Sequence, residues 1–181
     1  FGQYGEHFFD EFQMQAAAGF VVVLGNPRGG SGRHSGWAQA IHGPRHPVKP
    51  GTGWGSVDVD DVLAIIDTAL DRYDFCDTDR VGMLGGSYGG FMATWLAAFH
   101  GDRFRAFCSE RALNNLTSEE WSSDISTTFI TRSSVTRMPW RNSLSMFIFF
   151  KRSPICGPPP WTITGFMPTS FSITTSRAKP A

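Results

Sequence analysis

The chain has 181 residues, enough for one domain with a substantial hydrophobic core. Its 16 basic and 16 acidic side chains cancel, so composition gives no support to binding of nucleic acid or of an anionic membrane. The 3 cysteines are unclustered, which argues against a disulfide framework or metal site and favours a reducing, cytoplasmic location. No stretch is long and apolar enough to span a bilayer, and we expect no signal peptide. Because the chain does not begin with Met, we expect a fragment.

The first 72 residues predict a helix, a strand and a second helix separated by loops. Apolar residues recur at helical spacing over 8–18, and Gly19 is a natural C-terminal stop. The β-branched run at 20–24 is typical of a buried parallel strand. Glycine and proline predict loops at 26–36 and 43–55. Ser56 can then cap a helix that continues to about Arg72 with one apolar face.

The most informative stretch follows. An apolar run at 80–84 predicts a short buried strand, and it leads into Gly-x-Ser-x-Gly around Ser87 and then into an apolar helical pattern. This is the layout of a nucleophile elbow, in which a serine lies on a sharp turn between a strand and a helix. The residues two before and two after the serine crowd one another, so glycine is expected at both positions, Gly85 and Gly89. The turn would raise the hydroxyl clear of the sheet and direct the first helical N–H groups at the group attacked.

A further strand is predicted near 104–108, so strands alternate with helices. That alternation predicts a three-layer α/β fold with a mainly parallel sheet and right-handed crossovers. Regularity fails after Asp124: residues 125–181 contain no Asp or Glu and are basic and rich in Ser, Thr and Pro, and only 147–150 could be a strand. We interpret 1–124 as the folded domain. The irregular tail is either a loop-rich extension or a segment outside the parental reading frame.

Several separated pieces share their order and spacing with one protein family. Together they resemble the catalytic domain of the prolyl oligopeptidase family of serine peptidases, nearest to its acylaminoacyl-peptidase and dipeptidyl-peptidase-like branch. The pieces are Phe8-Phe9-Asp10-Glu11-Phe12-Gln13, Val21-Val22-Val23, Asn26-Pro27-Arg28-Gly29, Trp54-Gly55, Asp60-Asp61-Val62, Asp79-Arg80-Val81-Gly82, the elbow from Gly85 to Met92, Ser109-Glu110-Arg111, Asn114-Asn115, and Asp124 after Ser122-Ser123.

The resemblance implies a truncated α/β-hydrolase domain over 1–124 that cleaves peptide or acyl-peptide bonds without a cofactor or metal. It implies that Ser87 is the nucleophile and that the backbone N–H of Tyr88 is one donor of the oxyanion hole. Arg28 is expected to anchor its loop by salt bridges. In this family the segment 110–121 builds the substrate side-chain pocket. Its candidate wall residues, for which ordinary core packing is the alternative, are Leu113, Leu116 and Trp121.

The rest of a catalytic triad does not follow the pattern. In α/β-hydrolases the chain order is serine, acid, histidine, but here no histidine follows His100 and no carboxylate follows Asp124. The earlier histidines are expected on the surface or in loops. A His-Gly-Gly-Pro-like segment, which contributes to the oxyanion hole in the family, would precede Phe1. We also expect this chain to lack the family's β-propeller. We therefore expect an inactive or impaired fragment.

Three alternatives remain open from the sequence. An esterase or lipase uses the same elbow, although the pieces around Arg28 and Arg111 favour the peptidase. A non-catalytic hydrolase-fold remnant predicts the same missing acid and base. A dinucleotide-binding oxidoreductase is suggested by Gly30-x-Gly32-x-x-x-Gly36 after a strand, but prolines follow and no acidic residue lies about twenty residues on. The sequence carries no signal for an oligomeric state.

Overall fold

The computed structural model describes residues 10–44 and 49–115, together with the backbone of two further strands. No helix in these ranges is long and apolar enough to cross a membrane. The helices are α1 (Asp10–Ala17), α2 (Ser35–Gln39), α3 (Val57–Arg72) and α4 (Tyr88–Phe99), with a 3-10 helix at Gly101–Arg103. The strands are β1 (Phe20–Gly25), β2 (Cys76–Gly86), β3 (Ala106–Glu110), β4 (Ser145–Arg152) and β5 (Phe171–Thr174).

The predicted elements are confirmed, with shifts at their ends. The strand expected at 80–84 is longer, because β2 begins at Cys76, and β3 begins two residues later than predicted. The helix α2 was not predicted, since five residues are too few to show a period. It is stabilised locally by His34, whose Nδ1 accepts a hydrogen bond from the N–H of Trp37 at 3.3 Å. The segment at 147–150 lies within β4.

The strands form one five-stranded sheet in the order β3-β2-β4-β1-β5. The neighbours β2 and β3 are parallel, whereas β4 is antiparallel to both β2 and β1, and β5 is antiparallel to β1. It follows that β1, β2 and β3 share one direction, as the α/β pattern of the sequence requires. The α/β class is confirmed. Most hydrogen-bonded strand pairs are nevertheless antiparallel, because β4 lies between β1 and β2 and β5 pairs with β1 at the edge of the sheet. Both β4 and β5 come from residues 125–181.

Helices cover both faces of the sheet, so the fold has three layers. On one face, α1 packs through Phe12 and Ala16 onto Val22 and Leu24 of β1. On the other face, α3 and α4 form the larger core against the alternate strand residues, because successive side chains of a strand point to opposite faces. Its most deeply buried members include Val23, Val62, Ile66, Met83, Met92 and Leu96. The larger core fixes α3 and α4 against β2, and the turn between β2 and α4 carries the candidate site.

Candidate active site

Ser87 occupies the turn between β2 and α4 in a backbone conformation that side chains rarely adopt. Its φ is 59° and its ψ is −117°. Only one other non-glycine residue in the described ranges has a positive φ, namely Arg111 at 39°. Two hydrogen bonds hold the turn: the N–H of Ser87 donates to the carbonyl of Glu110 at 3.0 Å, and the N–H of Phe91 donates to the carbonyl of Ser87 at 3.0 Å. A strained residue at the carboxyl end of a strand is typical of a functional turn.

The glycines around Ser87 are needed for space. A methyl group on Gly85 would overlap the carbonyl group of Gly89 and lie 2.8 Å from its Cα. A methyl group on Gly90 would lie 2.5 Å from the carbonyl oxygen of Glu110. Real Cβ atoms do not approach backbone so closely, so the strand, the turn and the first turn of α4 can come together only through glycine. Ser87 directly follows the end of β2 and is half-buried.

The residue after Ser87 is anchored through its side chain. The ring of Tyr88 is 3 % exposed and packs edge-on against Trp54, with 4.8 Å between ring centroids. Its hydroxyl donates a short hydrogen bond to the carboxylate of Asp58, thirty residues earlier in the chain. Burial, together with the Asp58 charge, raises the pKa of the Tyr88 phenol well above its ordinary value. Tyr88 therefore remains a protonated donor at neutral pH.

Asp58 is fully buried, with 0 % of its surface exposed. Besides the Tyr88 hydroxyl, its carboxylate accepts the N–H of Gly55 at 3.2 Å and the N–H of Ser56 at 2.7 Å. It lies in the first turn of α3, where the helix dipole favours negative charge. Sequence reasoning missed this residue. The sequence did contain a signal for it: an acidic residue stands four positions before Val62 and therefore shares the apolar face of the predicted helix.

A second glycine-rich loop, at 26–36, is also fastened to α3. The Nη2 atom of Arg28 lies 2.7 Å from Oδ1 of Asp61, its Nε lies 2.9 Å from Oδ2, and its backbone N–H donates to Oδ2 at 2.8 Å. These hydrogen bonds raise the pKa of the guanidinium. The expected anchoring role of Arg28 is confirmed. The loop reaches only the five-residue α2, so it does not open directly into a long helix of the kind that holds a pyrophosphate.

The described histidines do not complete a triad with Ser87. His100 caps the far end of the 12-residue α4, about 18 Å along the helix axis from the serine. His34 caps α2, and Nδ1 of His42 lies 3.1 Å from the carbonyl oxygen of Lys49. The other two histidines, His7 and His46, lie outside the described ranges.

The three candidate pocket residues have different outcomes. Leu113 is 5 % exposed and belongs to the core between the sheet and α3–α4. Leu116 and Trp121 lie outside the described residues, so their role stays a prediction. Within the described part of the chain, no group of three His, Cys, Asp or Glu side chains is arranged to hold a metal ion.

Comparison with known proteins gives one consistent family. The pattern of the prolyl oligopeptidase family matches residues 6–147. The chain is 38 % identical over 122 residues to the uncharacterized peptidase YuxL of Bacillus subtilis, covering 67 % of this chain and 17 % of that relative. It is 32 % identical over 104 residues to dipeptidyl-peptidase 5 of Porphyromonas gingivalis, covering 58 % of this chain and 14 % of the relative. The chain is 34 % identical over 95 residues to dipeptidyl-peptidase 5 of Aspergillus oryzae, covering 52 % of this chain and 12 % of the relative. The chain thus spans less than a fifth of these curated relatives.

Proposed function

Since the chain belongs to the prolyl oligopeptidase family of serine peptidases, we propose that Ser87 is the nucleophile of a peptidase that forms an acyl-enzyme. The observation that carries the proposal is the backbone of Ser87, forced to φ 59° between β2 and α4. A serine is seldom held in this conformation without a functional reason. The proposed reaction is hydrolysis of peptide or acyl-peptide bonds, and it needs no cofactor.

In the proposed reaction, Oγ of Ser87 attacks the carbonyl carbon of the scissile bond and loses its proton to a general base. The carbonyl oxygen becomes an oxyanion, and the backbone N–H of Tyr88 donates a hydrogen bond to it from the first turn of α4. Collapse of the tetrahedral intermediate expels the protonated amine and leaves an ester on Oγ. Water then hydrolyses the ester and regenerates the serine.

We propose that this chain by itself turns over little or no substrate. A serine acts fast when a histidine accepts its proton and a carboxylate orients that histidine. The sequence holds no histidine after His100 and no carboxylate after Asp124, so a base and acid in the usual order are not among its residues. Loss of such groups commonly costs several orders of magnitude in rate. What remains is the elbow and one proposed oxyanion donor.

The proposal is tested with a fluorophosphonate probe, which forms a covalent bond to an activated serine. We expect slow labelling of the chain, with the adduct mapped to Ser87 by peptide mass spectrometry. Ser87→Ala should abolish it. Ser31→Ala is the matched control, because Ser31 is an exposed serine in the other glycine-rich loop, and its labelling rate should equal that of the unmodified chain.

Two results would count against the proposal in different ways. Labelling that persists in Ser87→Ala, or that is absent from the unmodified chain after prolonged incubation, would remove Ser87 as the nucleophile. Fast labelling, comparable with that of a complete serine hydrolase, would keep the nucleophile but contradict the impaired state. It would also require a base that the triad order does not supply.

Peptides are the substrate class that the relatives support, since their names describe a peptidase and dipeptidyl-peptidases. An esterase with the same elbow is the alternative. Comparing hydrolysis of an acyl-peptide with that of a p-nitrophenyl ester on a full-length relative separates the two. A rate that is higher for the ester by orders of magnitude would favour the esterase.

We also propose a reducing, cytoplasmic location. Within the described residues, Cys76 and Cys108 are both free thiols. Cys76 is buried at 6 % exposure, and burial raises the pKa of its thiol to about 12, whereas Cys108 is exposed. An exposed thiol is kept reduced in the cytosol, which is consistent with the proposal.

A further inference from the structure

We propose that Asp58 is a positioning residue for the oxyanion-binding N–H of Tyr88, acting through the hydrogen bond between its buried carboxylate and the Tyr88 hydroxyl. The inference rests on the proposed function, since it assigns a role to a neighbour of the proposed nucleophile. Asp58 touches no reacting atom. It contacts the hydroxyl at the tip of the Tyr88 side chain, and the backbone N–H of Tyr88 directly follows Ser87.

The contacts of Tyr88 connect the position of its side chain to that of its backbone. The ring is held edge-on by Trp54 at 4.8 Å and packs against Phe91 at 5.5 Å, and these contacts restrict its sideways movement. The Asp58 carboxylate fixes the hydroxyl at the tip of the ring. A rigid ring held at its tip and its edge leaves the attached backbone little freedom to rotate. The amide direction therefore depends on where Asp58 lies.

Asp58 can serve as a fixed point because its own position is determined by several groups. It accepts two backbone N–H groups, from Gly55 at 3.2 Å and from Ser56 at 2.7 Å, at the start of α3. A fully buried carboxylate without partners would be strongly destabilising, so these donors are needed. They fix the carboxylate relative to α3, and α3 packs on the sheet through Val62 and Ile66.

The turn is then held from two sides. On the strand side, the carbonyl of Glu110 accepts the Ser87 N–H at 3.0 Å. On the helix side, Asp58 holds Tyr88. A strained φ of 59° at Ser87 persists only where its surroundings over-determine it. Loosening one side should let the amide after Ser87 turn away from the direction that the oxyanion requires.

The experiment measures labelling of Ser87 by a fluorophosphonate, separating the maximal rate kinact from the concentration for half-saturation KI. The variants are Asp58→Asn, Tyr88→Phe and the double variant. Two controls are matched. Asp67→Asn removes an exposed carboxylate from the same helix, where it pairs with Arg103, and Tyr73→Phe removes a tyrosine hydroxyl distant from the elbow.

We expect kinact to fall about 10- to 100-fold in both single variants, because a misdirected donor no longer meets the developing oxyanion. KI should stay within about twofold, since the donor acts on the transition state. The double variant should fall little further than the singles, because Tyr88→Phe removes and Asp58→Asn weakens the same hydrogen bond. The controls should keep the unmodified rate. If kinact of Tyr88→Phe stays within about twofold of the unmodified chain, the proposal is overturned.

Tyr88→Phe also covers the case in which Asp58→Asn fails to fold, because it leaves Asp58 with its two backbone donors. A second measurement does not depend on chemistry at Ser87: amide hydrogen exchange of a peptide spanning 86–91. Exchange there should quicken at least about tenfold in Tyr88→Phe but not in Tyr73→Phe. If the unmodified chain is never labelled, the proposed function fails, and this exchange decides the positioning role. Unchanged exchange overturns it.

Discussion

Two glycine-rich loops follow two codirectional strands of this chain, which are separated in the sheet by β4, and the loops differ in structure. The loop at 26–36 follows β1, and the elbow follows β2. Each is fastened to the first turns of α3 by one carboxylate: Asp61 holds Arg28, and Asp58 holds Tyr88. Only the elbow continues at once into a long helix and forces a serine to positive φ. Glycine content alone therefore does not mark a loop as a candidate site. The two loops are distinguished by the element that follows each of them.

The glycines themselves also differ in function. In the elbow they are required for close approach, as Gly85 shows against Gly89. In the other loop two of the glycines adopt a backbone conformation that favours glycine, with φ of 98° at Gly29 and 88° at Gly32. A steric overlap with backbone cannot relax, whereas an unfavourable φ costs a limited amount. Substitutions should separate the two loops by the size of their effect.

Gly85→Ala should have the largest effect. Its methyl group would overlap the carbonyl of Gly89, so β2 and α4 must separate and the core between them must loosen. We expect a loss of about 4 kcal/mol or more of the free energy of unfolding, or no folded protein at all. Urea denaturation followed by circular dichroism measures it.

Gly101→Ala is the control for that measurement, because a methyl group there meets no atom within 4 Å and the backbone has no positive φ. Its free energy of unfolding should stay within about 0.5 kcal/mol of the unmodified chain. If Gly85→Ala were as stable as Gly101→Ala, then β2, the turn and α4 would not be packed closely enough to require glycine at position 85.

Removing the anchor of the other loop should have an intermediate effect. Arg28→Gln leaves the partly buried Asp61 without its bidentate partner, and we expect a loss of about 1–3 kcal/mol. A double-mutant cycle with Asp61→Asn should give a coupling of at least about 1 kcal/mol. The comparison pair is Arg80 with Asp77, at 3.3 Å and with Arg80 half exposed, for which about 0–1 kcal/mol is expected. Equal coupling in both pairs would contradict a specific anchor.

The two loops also show which features could be predicted from the sequence and which could not. The elbow is local: its strand, its glycines and its helix are contiguous, so pattern and composition sufficed to predict them. The link from Asp58 to Tyr88 spans thirty residues, and a single sequence gives no measure of that proximity. The sheet order was beyond reach for the same reason, because β4 enters between β1 and β2 from far along the chain.

Gly32→Ala should have a smaller effect than the loss of the Arg28 anchor. An alanine at a φ of 88° is strained, and we expect a loss of about 1–2 kcal/mol, measured by the same urea titration. Gly19→Ala is a matched comparison, because Gly19 has a φ of 91° and open space around its Cβ position. The two variants should lose similar amounts. A loss at Gly32 as large as that of Gly85→Ala would indicate a steric requirement there and would erase the distinction between the loops.

The smallest expected effect is the change in Tm when a dinucleotide is added. The spacing of Gly30, Gly32 and Gly36 is close to a phosphate-binding pattern, but the helix that follows has five residues and begins only at Ser35. A pyrophosphate is held by the N-terminus of a helix that the loop enters directly. A ligand at about 100 times its Kd would stabilise the fold by about 2.7 kcal/mol, which a thermal melt detects. We expect no change in Tm with NAD or NADP. A concentration-dependent rise, lost in Gly32→Ala but kept in Gly19→Ala, would show instead that the loop at 26–36 binds phosphate.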